Sequence, residues 1–404
     1  MTSLAAYRAV QRRSVALLSV GQVLGGLGLG ATLSLGAIIA ESLSGSPAWS
    51  GMAATMSTLG AAAAAIPLAR LARSRGRRVA LAVGALVATA GALLTITSVV
   101  VGSFPLLLLA LACLGSGTAV ALQARFAATD LAGASHRARD LSLVVWATSL
   151  GAVVGPNLVG PGERVGEALG LPPLAGPFVF TVVAQLAAAL VYTVGLRPDP
   201  LLLRQKLDAA PVATAMAPAA ARPRRAAFAI AAVALSHAVM VAVMSMTPVH
   251  LTGHGSSITV VGLVISLHIA GMYALSPVFG ALADRLGRVP VMLGGQAVLV
   301  AALLTVALGA ESHVGVTVGL VLLGLGWSAA TVAGSALLAE SVVAERRSVM
   351  QGRSDLAMNA AGALGGALAG PVLTLLGYAG LASVALVIVA VVVALAARLR
   401  VVDA

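Results

Sequence analysis

Charged and aromatic residues are scarce in this sequence. Of its 404 residues only 9% are charged and 3% aromatic, whereas 59% are hydrophobic. Soluble globular domains carry about 25% charged residues, so the composition excludes a soluble protein. The apolar residues form continuous runs and do not alternate with polar ones. This pattern excludes a β-barrel and predicts an integral membrane protein built of helices.

Other scarcities exclude several functional classes. The one cysteine, Cys113, cannot form an intrachain disulfide, and in its apolar run we expect it to be a small buried side chain. A phosphate-binding G-x4-G-K-[ST] loop is absent, which disfavours an ATP-driven pump. The apolar runs hold no cluster of His, Asp and Glu, so we expect no metal, no cofactor and no enzyme activity. A receptor or structural role stays open.

The net charge is strongly positive, at +12. It lies in short loops between the apolar runs, and the few aromatic residues offer no surface on which bases could stack. We therefore expect no nucleic-acid partner.

Twelve apolar runs have the length of about 20 residues that crosses a hydrocarbon core about 30 Å thick. The first is too long for a signal peptide and is expected to be retained. The polar stretch 197–225 is predicted to be a mobile cytoplasmic linker between an N-terminal bundle, 1–196, and a C-terminal bundle, 226–404. The predicted spans are 14–40, 48–70, 78–100, 104–128, 141–160, 176–196, 226–249, 258–282, 289–309, 315–339, 356–376 and 380–398.

Basic residues indicate the orientation of these spans. Of the 25 Lys and Arg residues, all except Arg164 fall on the same side of the membrane in this topology. Because basic loops stay in the cytoplasm, we predict that both termini are cytoplasmic. We expect a multi-pass protein of the plasma (inner) membrane, in contact with the lipid bilayer.

The two halves of the chain repeat each other at a distance of about 210 positions. The repeated features are a Gly-Arg turn after spans 2 and 8, paired glycines in spans 4 and 10, and a G-x3-G-P pattern in spans 5 and 11. They are Gly76-Arg77-Arg78 and Gly287-Arg288; Gly115-Ser116-Gly117 and Gly324-Leu325-Gly326; and Gly151 to Pro156 and Gly366 to Pro371. Internal repeats of this kind occur in secondary transporters, which place the substrate site between the repeats.

The nine residues 280–288 read G-x-x-x-D-R-x-G-R between two spans. Their charges are too costly for the hydrocarbon core, so the segment must be a tight turn at the membrane surface. The spacing resembles the signature loop of the major facilitator superfamily of secondary transporters, and the resemblance covers essentially the whole chain. It implies two pseudo-symmetric bundles of six helices, alternating access, and a small-molecule substrate. We expect a monomer.

The first-half copy of this loop departs from the family pattern, because Ala69 and Arg73 stand where Gly280 and Asp284 stand in the second half. The resemblance implies that the acid holds a helix of the opposite half, so we predict an Arg73–Asp355 contact and place Asp284 near Arg139. Loop charges that only set the topology are the alternative. The residues with a predicted gating or conformational role are Arg73, Gly76, Arg77, Arg78, Arg139, Gly151, Gly155, Pro156, Gly280, Asp284, Arg285, Gly287, Arg288 and Asp355.

Span 5 contains Gly151-x3-Gly155-Pro156-x3-Gly160, which resembles the motif of the family's antiporters. Val159 replaces one family glycine and Ser142 another. Glycines four residues apart allow close helix packing, and the proline bends the helix. Generic packing of small residues is the alternative to an antiporter motif.

Titratable groups deep in the spans are few. The arginine expected in span 4 of drug antiporters is Leu111 here, and the carboxylates lie at the ends of the spans. His237 and His268 are the deep candidates for proton coupling, since an imidazole pKa near 6.5 suits proton exchange. A structural, hydrogen-bonded role is the alternative for each.

The cavity residues predicted from the resemblance are polar, aromatic or adaptable side chains in spans that line the path in this fold. They are Gln22, Trp146, Asn157, Met240, Tyr273, Trp327 and Asn359. A cavity without fixed charge favours an amphipathic or hydrophobic substrate. The sequence thus predicts a secondary transporter that exports such compounds in exchange for protons, and the alternative is an importer or facilitator of a small neutral metabolite.

Overall fold

The computed structural model describes residues 4–132, 137–208, 222–343 and 347–403, and over these ranges it contains helices and no strand. The side chains of a few residues next to the gaps, among them Arg139, lie outside the description. The helices are α1 (Leu4–Ser44), α2 (Met52–Arg75), α3 (Arg77–Val101), α4 (Phe104–Ala127), α5 (Arg137–Val154), α6 (Val159–Ala168), α7 (Pro177–Leu190), α8 (Pro200–Asp208), α9 (Pro223–Gly253), α10 (Ile258–Tyr273), α11 (Ser276–Leu286), α12 (Arg288–Leu308), α13 (His313–Ser341) and α14 (Arg347–Asp403).

Eleven helical segments among the described residues are long and apolar enough to cross a membrane. The last of them, Met350–Arg398, has 49 residues, more than twice the length that one crossing needs. Its backbone leaves the helix at Gly377, where φ is 70° and ψ is −178°. This break separates the predicted spans 356–376 and 380–398, so the predicted membrane fold of twelve helices is confirmed.

Two of the predicted spans are interrupted. Predicted span 8, 258–282, consists of α10 and α11, because Pro277 in the first turn of α11 cannot donate the hydrogen bond that would continue α10. Predicted span 5 passes from α5 through the 3₁₀ turn Gly155–Leu158 into α6. Pro156 removes one backbone donor at this turn.

Part of the predicted linker 197–225 is ordered as α8. Pro200 begins this helix, and the side chain of Asp199 accepts hydrogen bonds from the backbone of Leu201 and Leu202. Residues 209–221, also predicted as linker, lie outside the described residues. The mobile cytoplasmic linker over 197–225 stays a prediction, with a helix at 200–208.

The chain divides into two compact units. Unit 1 comprises Met1–Gly36 and Leu59–Thr214, and unit 2 comprises Ala37–Thr58 and Ala215–Ala404. The predicted bundles 1–196 and 226–404 differ from this division mainly at residues 37–58. These residues form the tip of the α1–α2 hairpin, and their contacts group them with the second half.

Unit 1 packs around a buried apolar cluster in which Leu18, Leu81, Val144 and Tyr192 have at most 1% of their surface exposed. Helices approach closely where small residues face one another. A methyl group at Gly21, for example, would overlap the ring of Tyr192. Close approach of this kind is how helices associate in a bilayer, where no hydrophobic driving force acts between them.

Unit 2 has its own core around Phe228, Met292, Leu337 and Val392, between α9, α12, α13 and α14. The hairpin tip 37–58 packs against α14 through backbone contacts. The Thr55 hydroxyl donates to the carbonyl of Ala363 at 2.9 Å. Methyl groups at Gly51 and Gly370 would overlap the carbonyl oxygens of Gly366 and Ala48.

Candidate functional site

The end of unit 1 at which α3 begins, called here the arginine end of unit 1, carries the first-half copy of the signature loop. Gly76 adopts a φ of +90°, which glycine reaches without the cost that a side chain imposes. Arg77 donates from Nε to Oδ2 of Asp130 at 2.9 Å and from a terminal nitrogen to Oδ1 at 3.3 Å. Since Asp130 follows α4, this bidentate pair joins the start of α3 to the end of α4.

Both members of this pair are largely buried, with 15% of the Arg77 side chain and 10% of the Asp130 side chain exposed. Loss of hydration raises the pKa of Asp130 above its ordinary value of 3.8. The hydrogen bond and the charge of Arg77 lower this pKa but do not cancel the effect of burial.

The equivalent end of unit 2, its arginine end, carries the second copy. Gly287 has a φ of +95° between α11 and α12. Arg288 donates from Nε to Glu340 at 2.9 Å and from a terminal nitrogen to Asp284, four residues earlier. This group is more exposed, with 55% of the Glu340 side chain and 70% of the Asp284 side chain accessible.

The two arginine–acid pairs are equivalent under the sequence repeat. The arginine and the acid at the end of the next helix are 53 positions apart in unit 1 and 52 apart in unit 2. Sequence reasoning found the arginines but not Asp130 and Glu340. The repeat itself was the signal that could have found them, because these acids are also about 210 positions apart.

A second acid at the arginine end of unit 1 comes from outside the signature loop. Asp199, just before α8, accepts a hydrogen bond at 2.7 Å from the backbone N–H of Arg78 in the first turn of α3. A methyl group on Gly76 would overlap its carboxylate. Nothing in the sequence pattern indicated that residue 199 returns to this turn.

The other predicted gating residues are not members of these pairs. Arg73 and Arg285 are exposed at the ends of α2 and α11, and Gly280 has no atom closer than 4.0 Å to the position of an added methyl group. Asp355 is half-buried in α14. The Arg73–Asp355 contact stays a prediction. The Asp284–Arg139 contact also stays a prediction, because the side chain of Arg139 lies outside the described residues.

The glycines of the span 5 motif pack α5 against α1 within unit 1. A methyl group at Gly151 would overlap the carbonyl oxygen of Val23, and one at Gly155 would lie 2.9 Å from the Cα atom of Gly30. Pro156 is buried in the 3₁₀ turn that follows. These contacts fit close packing, and the antiporter role stays a prediction.

Three predicted site residues come together in unit 2, and we call them the aromatic cluster: His237 of α9, Tyr273 of α10 and Trp327 of α13. The indole N–H of Trp327 donates to Nδ1 of His237 at 3.1 Å. The rings of Tyr273 and Trp327 meet edge to face, with centroids 6.1 Å apart. His237 and Tyr273 are half-buried, and 8% of Trp327 is exposed.

Gly362 of α14 gives the aromatic cluster room. A methyl group there would lie 2.8 Å from Cδ2 and 3.0 Å from Nε2 of His237. Because Nδ1 of the neutral imidazole accepts the bond from Trp327, its hydrogen is on Nε2.

His268 differs from His237 in being completely buried between α10 and α13. Its Nδ1 donates to the carbonyl of Leu320 at 2.7 Å, and Nε2 has no partner among the described residues. The two histidines are therefore held in different ways and do not form one site.

The remaining predicted cavity residues are scattered. Gln22 is buried and donates to the Ala121 carbonyl and the Thr148 hydroxyl. Met240 is also buried, whereas 52% of Trp146 is exposed. The side chains of Asn157 and Asn359 each donate to the carbonyl four residues earlier in their own helices, at 3.0 and 2.7 Å.

The chain is similar to known proteins along nearly its whole length. Residues 18–257 and 229–404 match the profile of the Major Facilitator Superfamily. The chain is 37% identical over 370 residues to the uncharacterized MFS-type transporter YdeG of Bacillus subtilis, covering 90% of this chain and 86% of that protein. It is 29% identical over 352 residues to the riboflavin transporter RfnT of Brucella anthropi, covering 86% and 85%.

Solved structures share the fold. The human organic anion transporter MFSD10 superposes on this chain with a TM-score of 0.67 at 18% sequence identity. The superposition covers 96% of this chain and 99% of the MFSD10 chain. A bacterial homologue of the human lysosomal transporter Spinster has the same TM-score at 16% identity, with 96% of both chains covered. With the repeated signature turns and a profile match along nearly the whole length, this chain is a membrane transporter and not an enzyme, and it belongs to the Major Facilitator Superfamily.

Proposed function

We propose that this transporter exports small amphipathic or hydrophobic compounds in exchange for protons, by alternating access of its two halves. The observation that carries the proposal is the hydrogen bond from Trp327 to Nδ1 of His237. It supports the proposal because His237 is a titratable side chain of a predicted span, and the bond joins it to an aromatic ring that can contact a substrate.

This hydrogen bond links proton binding to the position of Trp327. A proton can enter only at Nδ1, because Nε2 of the neutral ring already carries one. Proton uptake at Nδ1 and donation from the indole N–H exclude each other, since both use the same lone pair. A substrate that packs against the Trp327 ring and keeps the indole bonded to Nδ1 therefore opposes proton binding at His237. A proton bound at Nδ1 releases the indole, so substrate and proton compete as exchange requires.

The chemistry of the aromatic cluster supports an uncharged or amphipathic substrate. Imidazole, indole and phenol groups offer apolar faces with a few hydrogen-bonding atoms and no fixed charge. The hydroxyls of Ser276 and Ser328, close in sequence to Tyr273 and Trp327, bond to each other at 3.1 Å. The other cavity residues, Gln22, Trp146, Asn157, Met240 and Asn359, are proposed to contact the substrate only in other states of the transport cycle.

The signature turns are proposed to gate this cycle, through the Arg77 and Arg288 pairs described above and through the predicted Arg73–Asp355 contact. We propose a monomer in the plasma membrane with both termini in the cytoplasm. The charge bias of the loops supports this orientation. His268 is proposed as a second coupling residue that exchanges protons only when α10 and α13 separate.

Transport by everted membrane vesicles with an imposed pH gradient tests the proposal. The probes are radiolabelled uncharged amphipathic compounds, riboflavin among them. We expect accumulation driven by the gradient in the wild type and loss of that dependence in His237→Gln, because glutamine does not titrate. His313→Gln, which removes an imidazole at the start of α13, is the matched control. Gradient-driven accumulation that survives in His237→Gln would overturn the coupling scheme.

Import of a small neutral metabolite is the second candidate function. The riboflavin transporter RfnT, 29% identical to this chain, makes riboflavin its candidate substrate. A flavin ring is planar and could lie against the rings of the aromatic cluster. Right-side-out vesicles separate the two directions. Uptake of riboflavin there, without accumulation in everted vesicles, would replace export by import.

A further inference from the structure

The first-half signature loop has lost its acid but has kept its glycine and its arginines. Arg73 stands where the second half has Asp284, while Gly76, Arg77 and Arg78 remain. In unit 2, Asp284 bonds to Arg288 within the loop itself. The first half needs another source of negative charge if its turn is to be held in a comparable way.

Asp199 brings a carboxylate to this turn from the segment that follows the sixth span. Its Oδ2 accepts from the backbone N–H of Arg78 at 2.7 Å. Its Oδ1 accepts from the N–H groups of Leu201 and Leu202 at 3.0 and 3.2 Å. One side chain thus caps α8 and joins it to the first turn of α3, where N–H groups lack partners within the helix.

Gly76 is required for this arrangement in two ways. Its φ of +90° belongs to a region that side chains rarely adopt, and an added methyl group would overlap the Asp199 carboxylate. The glycine of the first-half signature therefore makes room for an acid from another part of the chain.

The surroundings of Asp199 tie α8 to the buried Arg77–Asp130 pair. The charges of Asp199 and of Arg204, in α8, both act on Asp130, with opposite signs. Leu201, Leu202 and Leu203 are half-buried, while Gln205 and Lys206 are exposed. The first turn of α8 is therefore partly covered, and Gln205 and Lys206 after it are exposed.

We propose that Asp199 is a positioning residue for transport, an inference that rests on the proposed gating role of the signature loops. It fastens α8 to the first turn of α3 and supplies the negative charge that the first-half signature loop lacks at position 73. The start of the segment between the two halves, as far as α8, is then held to α3. Movement of α3 during the transport cycle carries the start of this segment with it.

The attachment of α8 to the first turn of α3, called here the docking of α8, is tested by limited trypsin digestion of the full-length protein. The fragments are identified by mass spectrometry. Trypsin cuts after Arg204 and Lys206, and local release of α8 exposes both bonds. We expect these cuts to be about three- to thirtyfold faster in Asp199→Ala, on the scale of a lost helix cap. Asp199→Asn keeps Oδ1 as the cap of α8 but cannot accept the Arg78 N–H, so we expect an intermediate increase. Glu167→Gln, a neutralised exposed acid of α6, is the matched control.

Transport by the same variants tests the positioning role. We expect Asp199→Asn to lower the maximal rate severalfold at an unchanged KM and melting temperature, because the substrate site in unit 2 is untouched. Unchanged cleavage after Arg204 and Lys206 in both Asp199 variants would overturn the docking. Faster cleavage with wild-type transport would overturn the positioning role. Digestion does not depend on transport, so it decides the docking even if export by proton exchange is disproved.

Discussion

The two arginine–acid pairs have the same chemistry and different burial, which allows a sharp prediction about their energies. Arg77 and Asp130 are 15% and 10% exposed, whereas Arg288 and Glu340 are 20% and 55% exposed. Exposed ion pairs contribute about 0–1 kcal/mol. Removing one partner of a buried pair costs about 3–5 kcal/mol, because the other charge stays behind without compensation.

A pair of double-mutant cycles measures this difference. The first cycle combines Arg77→Met with Asp130→Asn, and the second combines Arg288→Met with Glu340→Gln. We expect a coupling free energy of about 2–4 kcal/mol in unit 1 and of about 0–1 kcal/mol in unit 2. The free energy of unfolding is measured in mixed micelles at pH 7 under conditions where unfolding is reversible.

The single variants of the first cycle should also differ from each other. Arg77→Met leaves a buried carboxylate whose pKa is already raised by burial. Asp130→Asn still offers an oxygen to the Arg77 guanidinium, so it should destabilise less than Arg77→Met. Equal coupling in the two units, or a larger value for the exposed pair, would refute the reasoning that burial decides the energy.

Three further predictions concern single groups. The pKa of Asp130 is raised in the folded protein, so the folded state binds more protons than the unfolded state. The contribution of Asp130 to the free energy of unfolding should therefore fall as the pH rises from 3.8 through the folded pKa. Unfolding measured as a function of pH should lack this trend in Asp130→Asn. Gly370→Ala should lower the free energy of unfolding by about 1–3 kcal/mol, because the added methyl group overlaps the carbonyl of Ala48. Gly294→Ala, whose methyl group would meet no neighbouring atom within 4 Å, should leave the melting temperature unchanged. Trp327→Phe frees Nδ1 of His237 and should shift the pH profile of transport to higher pH. Trp49→Phe, at an exposed tryptophan of the hairpin tip, should leave the profile in place. An unshifted profile in Trp327→Phe would separate the indole from coupling.

Much of the fold could be predicted from the sequence because the bilayer imposes strict conditions on it. Every backbone polar group in the hydrocarbon must be satisfied within a helix, so long apolar runs fix where spans lie. The break at Gly377, inside what is otherwise one long helical segment, falls at a predicted turn. The break between Tyr273 and Ser276 was missed, because hydropathy does not register the hydrogen bond that Pro277 withholds.

The candidate site could be predicted only in part. Trp327, Tyr273 and His237 were proposed as separate residues, and the contacts that join them span up to 90 positions. Gln22 has the polarity expected of a cavity residue, but it bonds to two neighbouring helices and is buried. Composition cannot distinguish these two situations, because a polar side chain in a span looks the same whether it faces a substrate or a neighbouring helix.

The sequence by itself determined the membrane class, the spans, the repeat and the two signature turns, since these depend on local hydropathy and on residues close together in the chain. Only the tertiary structure decided which acid meets which arginine and that Asp199 returns to Gly76 from more than a hundred positions away. It also decided that the hairpin tip 37–58 packs with the second half. The physical reason is that these contacts are set by which helices approach each other, and such approach depends on the fit of small residues along whole helix faces.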